Sequence, residues 1–271
     1  MIKIKDKYYK LTLLDTCIIS ELLKNKGELS KNILSKVINK GYVCFSDETI
    51  KELIRSPIIF NEFIEIFSYF PSLILKPFGM LMDEEIQNYD IQKEIDPVLM
   101  ILNQSLWDGE KTDLKKIINS KFSKEFLEKN QKDQMDALDG ILDKRQGYLP
   151  AGKQYTLNEI DTFIELITWQ QLLFQRHSWF LERANMKPAI KAEKFPSIQI
   201  FCSLVFYKFY MDNKRKAKLS DIPDLFIASS YPYIDEVITE KNQVEMVRQI
   251  QKRHNLCNQL TLYTINDFRN S

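Results

Sequence analysis

The chain has 271 residues, room for one large domain or two smaller units. Hydrophobic residues make up 44% and charged residues 28%, a globular balance that excludes broad disorder. Lys and Arg number 38 against 37 Asp and Glu, a net charge of +1, so any nucleic-acid contact must come from a local patch rather than a uniformly basic surface. Seven Gly leave little room for a Gly-rich phosphate cradle, and two His cannot build a His-rich metal site. Cys17, Cys44, Cys202 and Cys257 form no C-x-x-C pair, which argues against a zinc ribbon or a redox dithiol. The polar opening MIKIKDKYYK has no signal-peptide apolar core. The apolar stretch Ser197 to Phe206 stops at Lys208, short of the roughly 20 residues a membrane span needs. These features predict a soluble cytoplasmic protein with reduced thiols and no membrane partner.

In chain order, Leu11 to Leu14 is a short apolar run ending at Asp15 and predicts a buried strand. Ile18, Ile19, Leu22 and Leu23 repeat at helical spacing, with Gly27 as a C-cap. Ser30 to Asn39 predicts a second helix, ended by Gly41, and Tyr42 to Phe45 a second strand. Ser46 is placed to cap a helix through Thr49, Ile50, Leu53 and Ile54, up to Pro57. This order predicts a parallel α/β sheet.

From Gly79 to Phe195 no strand pair is legible. Helices are predicted instead near Glu94 to Leu106, Leu114 to Lys129 and Leu157 to Arg183, with a loop at Pro150, Ala151 and Gly152. After Pro196 the alternation returns. An apolar helix (Ile198 to Tyr210) precedes a basic cluster (Lys214, Arg215, Lys216, Lys218). A helix capped by Ser220, a strand from Ile234 to Ile238, a helix from Asn242 to Lys252 and a strand from Leu260 to Tyr263 follow. The predicted organisation is a core of residues 1–78 plus 196–271, with an all-helical insert over 79–195.

Acids stand at the ends of these elements. Asp15 closes the first strand, Glu52 lies in the helix after the second, Asp221 and Asp224 open the helix before the third, and Glu240 follows the third. In an open parallel sheet, ligands collect outside the carboxyl ends of the strands, near the point where strand order reverses. Two carboxylates ~4 Å apart repel by about 4 kcal/mol at an effective dielectric near 20, so such a cluster takes up protons, moves apart or holds a cation. An all-oxygen site favours Mg²⁺ or Mn²⁺, which can activate water against a phosphodiester. Taken singly, each acid has an ordinary reading. Asp15 and Glu240 are turn residues, and Asp221 is a first-turn acid favoured by the helix dipole. Glu52 is a solvated helix position with Glu48 as rival on the same face. The order of all of them carries the signal.

Four short segments resemble the motifs of the PIN-domain nuclease family. They are Leu13-Leu14-Asp15-Thr16, Ser46-x-x-Thr49-x-x-Glu52-Leu53, the run Ser220 to Ala228, and Asp235 to Lys241. The resemblance covers two pieces of the chain and implies a flavodoxin-like open parallel sheet. It also implies a Mg²⁺- or Mn²⁺-dependent endoribonuclease acting on RNA more than DNA. Asp15, Glu52, Asp224 and Glu240 would then be metal ligands or water-positioning groups, Asp221 an additional acid, and Thr16 and Thr239 supporting donors. Glu240 departs from the Asp more usual at the fourth place, and the long insert departs from the family's small toxin ribonucleases. The insert would restrict the substrate, bind a protein partner or drive self-association.

An alternative is a degenerate fold of this kind serving as a non-catalytic RNA-binding or assembly module. A Rossmann-like nucleotide binder fits poorly, because the turn after Leu14 lacks glycines. Trp169, Phe174, Trp179 and Phe180 lie near Arg176, His177 and Arg183, a mixture that can stack bases but at helical spacing is more often core. His254 follows Arg248 on a polar helix and is expected to be exposed.

Overall fold

The structure is a computed structural model that describes residues 2–4, 7–24, 27–91, 93–102, 114–148, 154–186, 190–211 and 217–269. β1 (Ile2–Ile4) and β2 (Lys7–Leu14) lead into α1 (Thr16–Lys24), α2 (Glu28–Lys40), β3 (Gly41–Phe45), α3 (Asp47–Ile54) and α4 (Pro57–Phe67). Next come β4 (Ser72–Leu75), α5 (Phe78–Gln87), β5 (Val98–Leu102), α6 (Leu114–Lys121), α7 (Lys124–Tyr148), α8 (Leu157–Gln175) and α9 (His177–Ala184). The remaining major elements are α10 (Pro196–Val205), continued by a π-helical turn (Phe206–Met211), then α11 (Asp221–Ala228), β6 (Glu236–Ile238), α12 (Lys241–His254) and β7 (Thr261–Tyr263).

The protein is α/β. Six strands lie side by side in the order β5-β4-β3-β2-β6-β7, and β1 pairs antiparallel with β2. All pairings along the row are parallel except β4 with β5. From β2 the chain builds outward through β3, β4 and β5, then returns to place β6 on the other side of β2. The strand order therefore reverses at β2, where a parallel sheet opens its ligand crevice.

Alternate β2 residues bury against opposite helical layers, as a strand covered on both faces must. Leu13 joins Cys44, Leu73 and Val237 in a core filled by α5, α8, α10, α11 and α12. Leu14 joins Val43, Phe45, Ile74 and Ile238 in a core filled by α1, α2, α4 and α6. Gly41 lets β3 begin tight against β2, since a Cβ there would collide with the Lys10 carbonyl.

The segment 79–195 is not all-helical. Val98–Leu102, inside a stretch predicted as helix, is a strand hydrogen-bonded to β4. Nor is the segment set apart from the sheet. α5 runs across residue 79, and Ile160, Ile164 and Leu172 of α8 lie in the same core as the central strands. The predicted loop at Pro150 to Gly152 and the basic residues Lys214, Arg215 and Lys216 lie outside the described residues. Among the described residues no helix is long and apolar enough to cross a membrane.

Candidate acidic site at the strand ends

Asp15 follows Leu14 at the carboxyl end of β2, and its backbone N–H donates to Ile238 O of β6 at 3.1 Å. The pairing places Asp15 beside Thr239, the residue after β6. The Thr239 hydroxyl donates to Asp15 Oδ2 at 2.5 Å, and the Thr16 N–H donates to Oδ1 at 2.7 Å. The residue as a whole is only 6% exposed. Burial raises its proton affinity, against the opposing pull of Thr239, Thr16, Cys17 and the Lys208 charge.

Glu52 reaches the same place from α3. Ser46 caps that helix as predicted, its Oγ accepting from Thr49 N at 2.9 Å. One helical turn separates Glu48 from Glu52, and the two have different partners. The Thr16 hydroxyl donates to Glu52 Oε2 at 2.5 Å. Glu48 instead turns to Lys51 at 2.6 Å, Gln134 at 2.8 Å and Asn130 at 3.3 Å. Burial pushes Glu52 up to about 7, with Thr16 opposing and the charges of Asp15, Asp224 and Glu48 adding to the rise.

Asp221 and Asp224 stand in the first turn of α11. Ser220 makes no side-chain cap bond. Asp221, fully buried, instead accepts from the Lys218 N–H at 2.8 Å. Lys208 lies between the two acids, its Nζ 2.5 Å from Asp224 Oδ2 and 3.3 Å from Asp221 Oδ1. Asp224 is pushed up to about 7 by burial and by the charges of Asp15 and Glu240, with Lys208 opposing. Glu240 is exposed at the N-cap of α12 and makes no cap bond. The Cys17 thiol ties these groups together: desolvation first, then Asp15, Glu240 and Asp224, raise its proton affinity.

The fold therefore brings Asp15, Glu52, Asp224 and Glu240 near enough for their charges to act on common neighbours at the ends of β2 and β6, and Asp221 is the second anchor of Lys208. Comparison with known protein families, curated proteins and solved structures returns no match to this chain. The site must be read from its own chemistry. Its donors are carboxylate oxygens, the set preferred by hard divalent cations. Their raised proton affinities come first from burial, with the charges of neighbouring acids adding to the rise for Glu52 and Asp224. Among the described residues, no three His, Cys, Asp or Glu side chains already stand in metal-holding array.

The sequence reading missed Lys208. A lone Lys between Tyr207 and Phe209 in an apolar helix was the available signal, since a buried ammonium requires an anionic partner. His254 is also not exposed as expected. Its ring is wedged between Asp161 of α8 (Nδ1, 2.6 Å) and the Tyr207 hydroxyl (Nε2, 3.0 Å). Of the aromatic and basic residues on α8 and α9, Trp169, Trp179 and Phe180 pack against the core. Arg176 pairs with Asp83 and Arg183 with Asp90, while Phe174 is 71% exposed.

A perturbed carboxyl alone does not mark a site. Glu85 is pushed up to about 7 by burial, yet it holds the start of α10 through the Ser197 N–H at 2.8 Å and also accepts from the Tyr233 hydroxyl. It lines a cavity of about 610 Å³ that also reaches Asp235, at the end of β6 opposite Glu240.

Proposed function

We propose that the protein is a Mg²⁺- or Mn²⁺-dependent endonuclease that cleaves RNA in preference to DNA. The observation that supports this reading is the placement of acids where strand order reverses: Asp15 and Glu240 follow the adjacent strands β2 and β6, Glu52 is bonded to Thr16, and Asp224 lies near enough for its charge to act on Glu52. Asp15, Glu52 and Asp224 would hold the cation, with Glu240 at the exposed rim. The bound ion would supply Lewis-acid activation of water and stabilise charge developing on the phosphate.

The chain's own contribution is orientation. Thr239 and the Thr16 N–H fix both oxygens of Asp15, and the Thr16 hydroxyl fixes Glu52, so two carboxylates from different elements are held by donors from the same strand ends. Lys208 holds Asp224 in place from behind.

The test is cleavage of a mixed single-stranded RNA in Mn²⁺ by the parent and by Asp15→Asn, with single-stranded DNA in parallel. The parent should cut RNA faster than DNA, and Asp15→Asn should lose roughly 10²-fold or more while keeping its thermal transition. Equal cleavage by both proteins sinks the reading. One observation favours a second reading, a non-catalytic RNA-binding or assembly module: Lys208 already neutralises part of the acidic cluster, and no ready-made metal array stands among the described residues. That reading requires RNA binding that survives EDTA, without cleavage in Mn²⁺.

A further inference from the structure

We infer that the cavity of about 610 Å³ beside Glu85 and Asp235 is a second ligand site, which takes a small protonated amine with an apolar body. Its volume is in the range that holds small organic ligands. Asp235 directly precedes β6, whereas Asp15 and Glu240 follow the carboxyl ends of β2 and β6, so the cavity opens at the other end of the sheet. The inference is independent of the metal-dependent reading.

Glu85, at the inner wall, supplies the recognition. The residue is 3% exposed, and its two oxygens are used unequally. Oε1 accepts from the Ser197 N–H at 2.8 Å and from the Tyr233 hydroxyl. The Ser197 hydroxyl also favours the charged form, yet Oε2 is buried with no hydrogen bond among the described residues. A buried carboxylate oxygen without a donor is costly and uncommon. The last torsion of a Glu side chain is broad, so a small turn presents Oε2 to a donor entering the cavity.

The surrounding charges select a cation as that donor. Glu94, Asp96 and Asp235 line the cavity with Glu85, against Lys93 and Lys194. Lys194 is engaged elsewhere: its Nζ donates to the Tyr89 carbonyl at 2.7 Å and lies 4.8 Å from the centre of the Tyr89 ring. Lys93 is exposed. Leu11, Ile95, Ile234 and three proline rings form apolar walls. An anion would be repelled by the carboxylates, and a bare metal ion would leave the apolar walls unused. An ammonium head on an apolar body uses both, through a charge-assisted hydrogen bond to Glu85 and burial of its carbon against the walls.

The test is calorimetric titration at pH 8, in EDTA, of phenethylamine and of its neutral counterpart phenethyl alcohol into the full chain, for the parent, Glu85→Gln and Ile95→Trp. Burial pushes Glu85 up to about 7, so at this pH its carboxyl is ionised while the amine keeps its proton. The parent should bind the amine about tenfold or more tighter than the alcohol. Glu85→Gln should lose that preference, and Ile95→Trp, which fills the cavity from the loop before β5, should weaken the amine by about tenfold or more. No amine binding by the parent, or equal affinity for amine and alcohol, overturns the assignment without recourse to a variant, which covers the case in which Glu85→Gln frees the start of α10 and fails to fold. Amine affinity unchanged in either folded variant overturns it as well. EDTA keeps every outcome separate from the acids at the carboxyl ends of the strands.

Discussion

Helix α3 carries two charged clusters one turn apart, and they are held by different donors. On one side Lys51 pairs with Asp47 at 2.8 Å and Glu48 at 2.6 Å, while Asn130 and Gln134 of α7 donate to the Glu48 oxygens. On the other side Glu52 faces Asp15 and Asp224, with Glu240 beyond, and the nearby ammonium of Lys208 is committed to Asp221 and Asp224. The first cluster sets one ammonium against two carboxylates, and the two amide donors from α7 fasten that helix to α3; burial, then the Asp47 charge, still raises the proton affinity of Glu48. In the second, Lys208 faces Asp221 and Asp224, while Asp15 and Glu52 rest on the hydroxyls of Thr239 and Thr16. Burying carboxylates is costly in either case. The difference lies in the donors: an ammonium and two amides close the first cluster around Glu48, whereas threonine hydroxyls hold Asp15 and Glu52 at the strand ends, the place proposed above for a cation.

The comparison breaks most sharply at Lys51. Lys51→Met leaves Asp47 and Glu48 buried without their cation. It should destabilise the fold by about 3–5 kcal/mol, measured by urea unfolding. Mn²⁺ affinity in the surviving folded protein should stay within twofold of the parent, because Glu52 has its own partner in Thr16. A Mn²⁺ affinity that collapsed with Lys51 would make the two clusters one unit.

The next effect is on pH. Glu52 and Asp224 keep their protons up to about 7 in the fold but release them near pH 4 in the unfolded chain. Between about pH 4 and 7 the folded state therefore binds more protons, and stability falls as pH rises through that window. As upper figures, Glu52 accounts for about 3 kcal/mol and Asp224 for about 4, both reduced by partial solvation. Millimolar Mn²⁺ should restore stability at pH 8 and do little at pH 4.5, as read from thermal melts at both values. Equal Mn²⁺ shifts at the two pH values would disconnect the raised proton affinities from cation binding.

The smallest effect belongs to Glu240. Its side chain is exposed and its charge screened, so Glu240→Gln should weaken Mn²⁺ binding by less than tenfold. A larger loss would move Glu240 from the rim to the centre of the site.

Much of this was legible in the sequence where the cause is local. Leu11 to Leu14 is apolar because β2 is covered on both faces, and Ser46 caps α3 with its own side chain. Asp15 and Glu52 could be found because each closes or follows such an element. What could not be read depends on distant partners. Val98–Leu102 is a short apolar run that fits a helix as well as a strand, and its pairing with β4 decides. His254 is engaged by Asp161, 93 residues earlier in the chain. Lys208 is aimed at Asp224 by a π-helical turn that no periodicity announces.

The most direct measurement is calorimetric titration of Mn²⁺ at pH 8 into the parent and Asp224→Asn. The account predicts binding by the parent and a loss of at least tenfold in affinity in the variant, with both proteins folded. No binding, or equal binding by the two proteins, would contradict it and leave the acids without a cation to explain them.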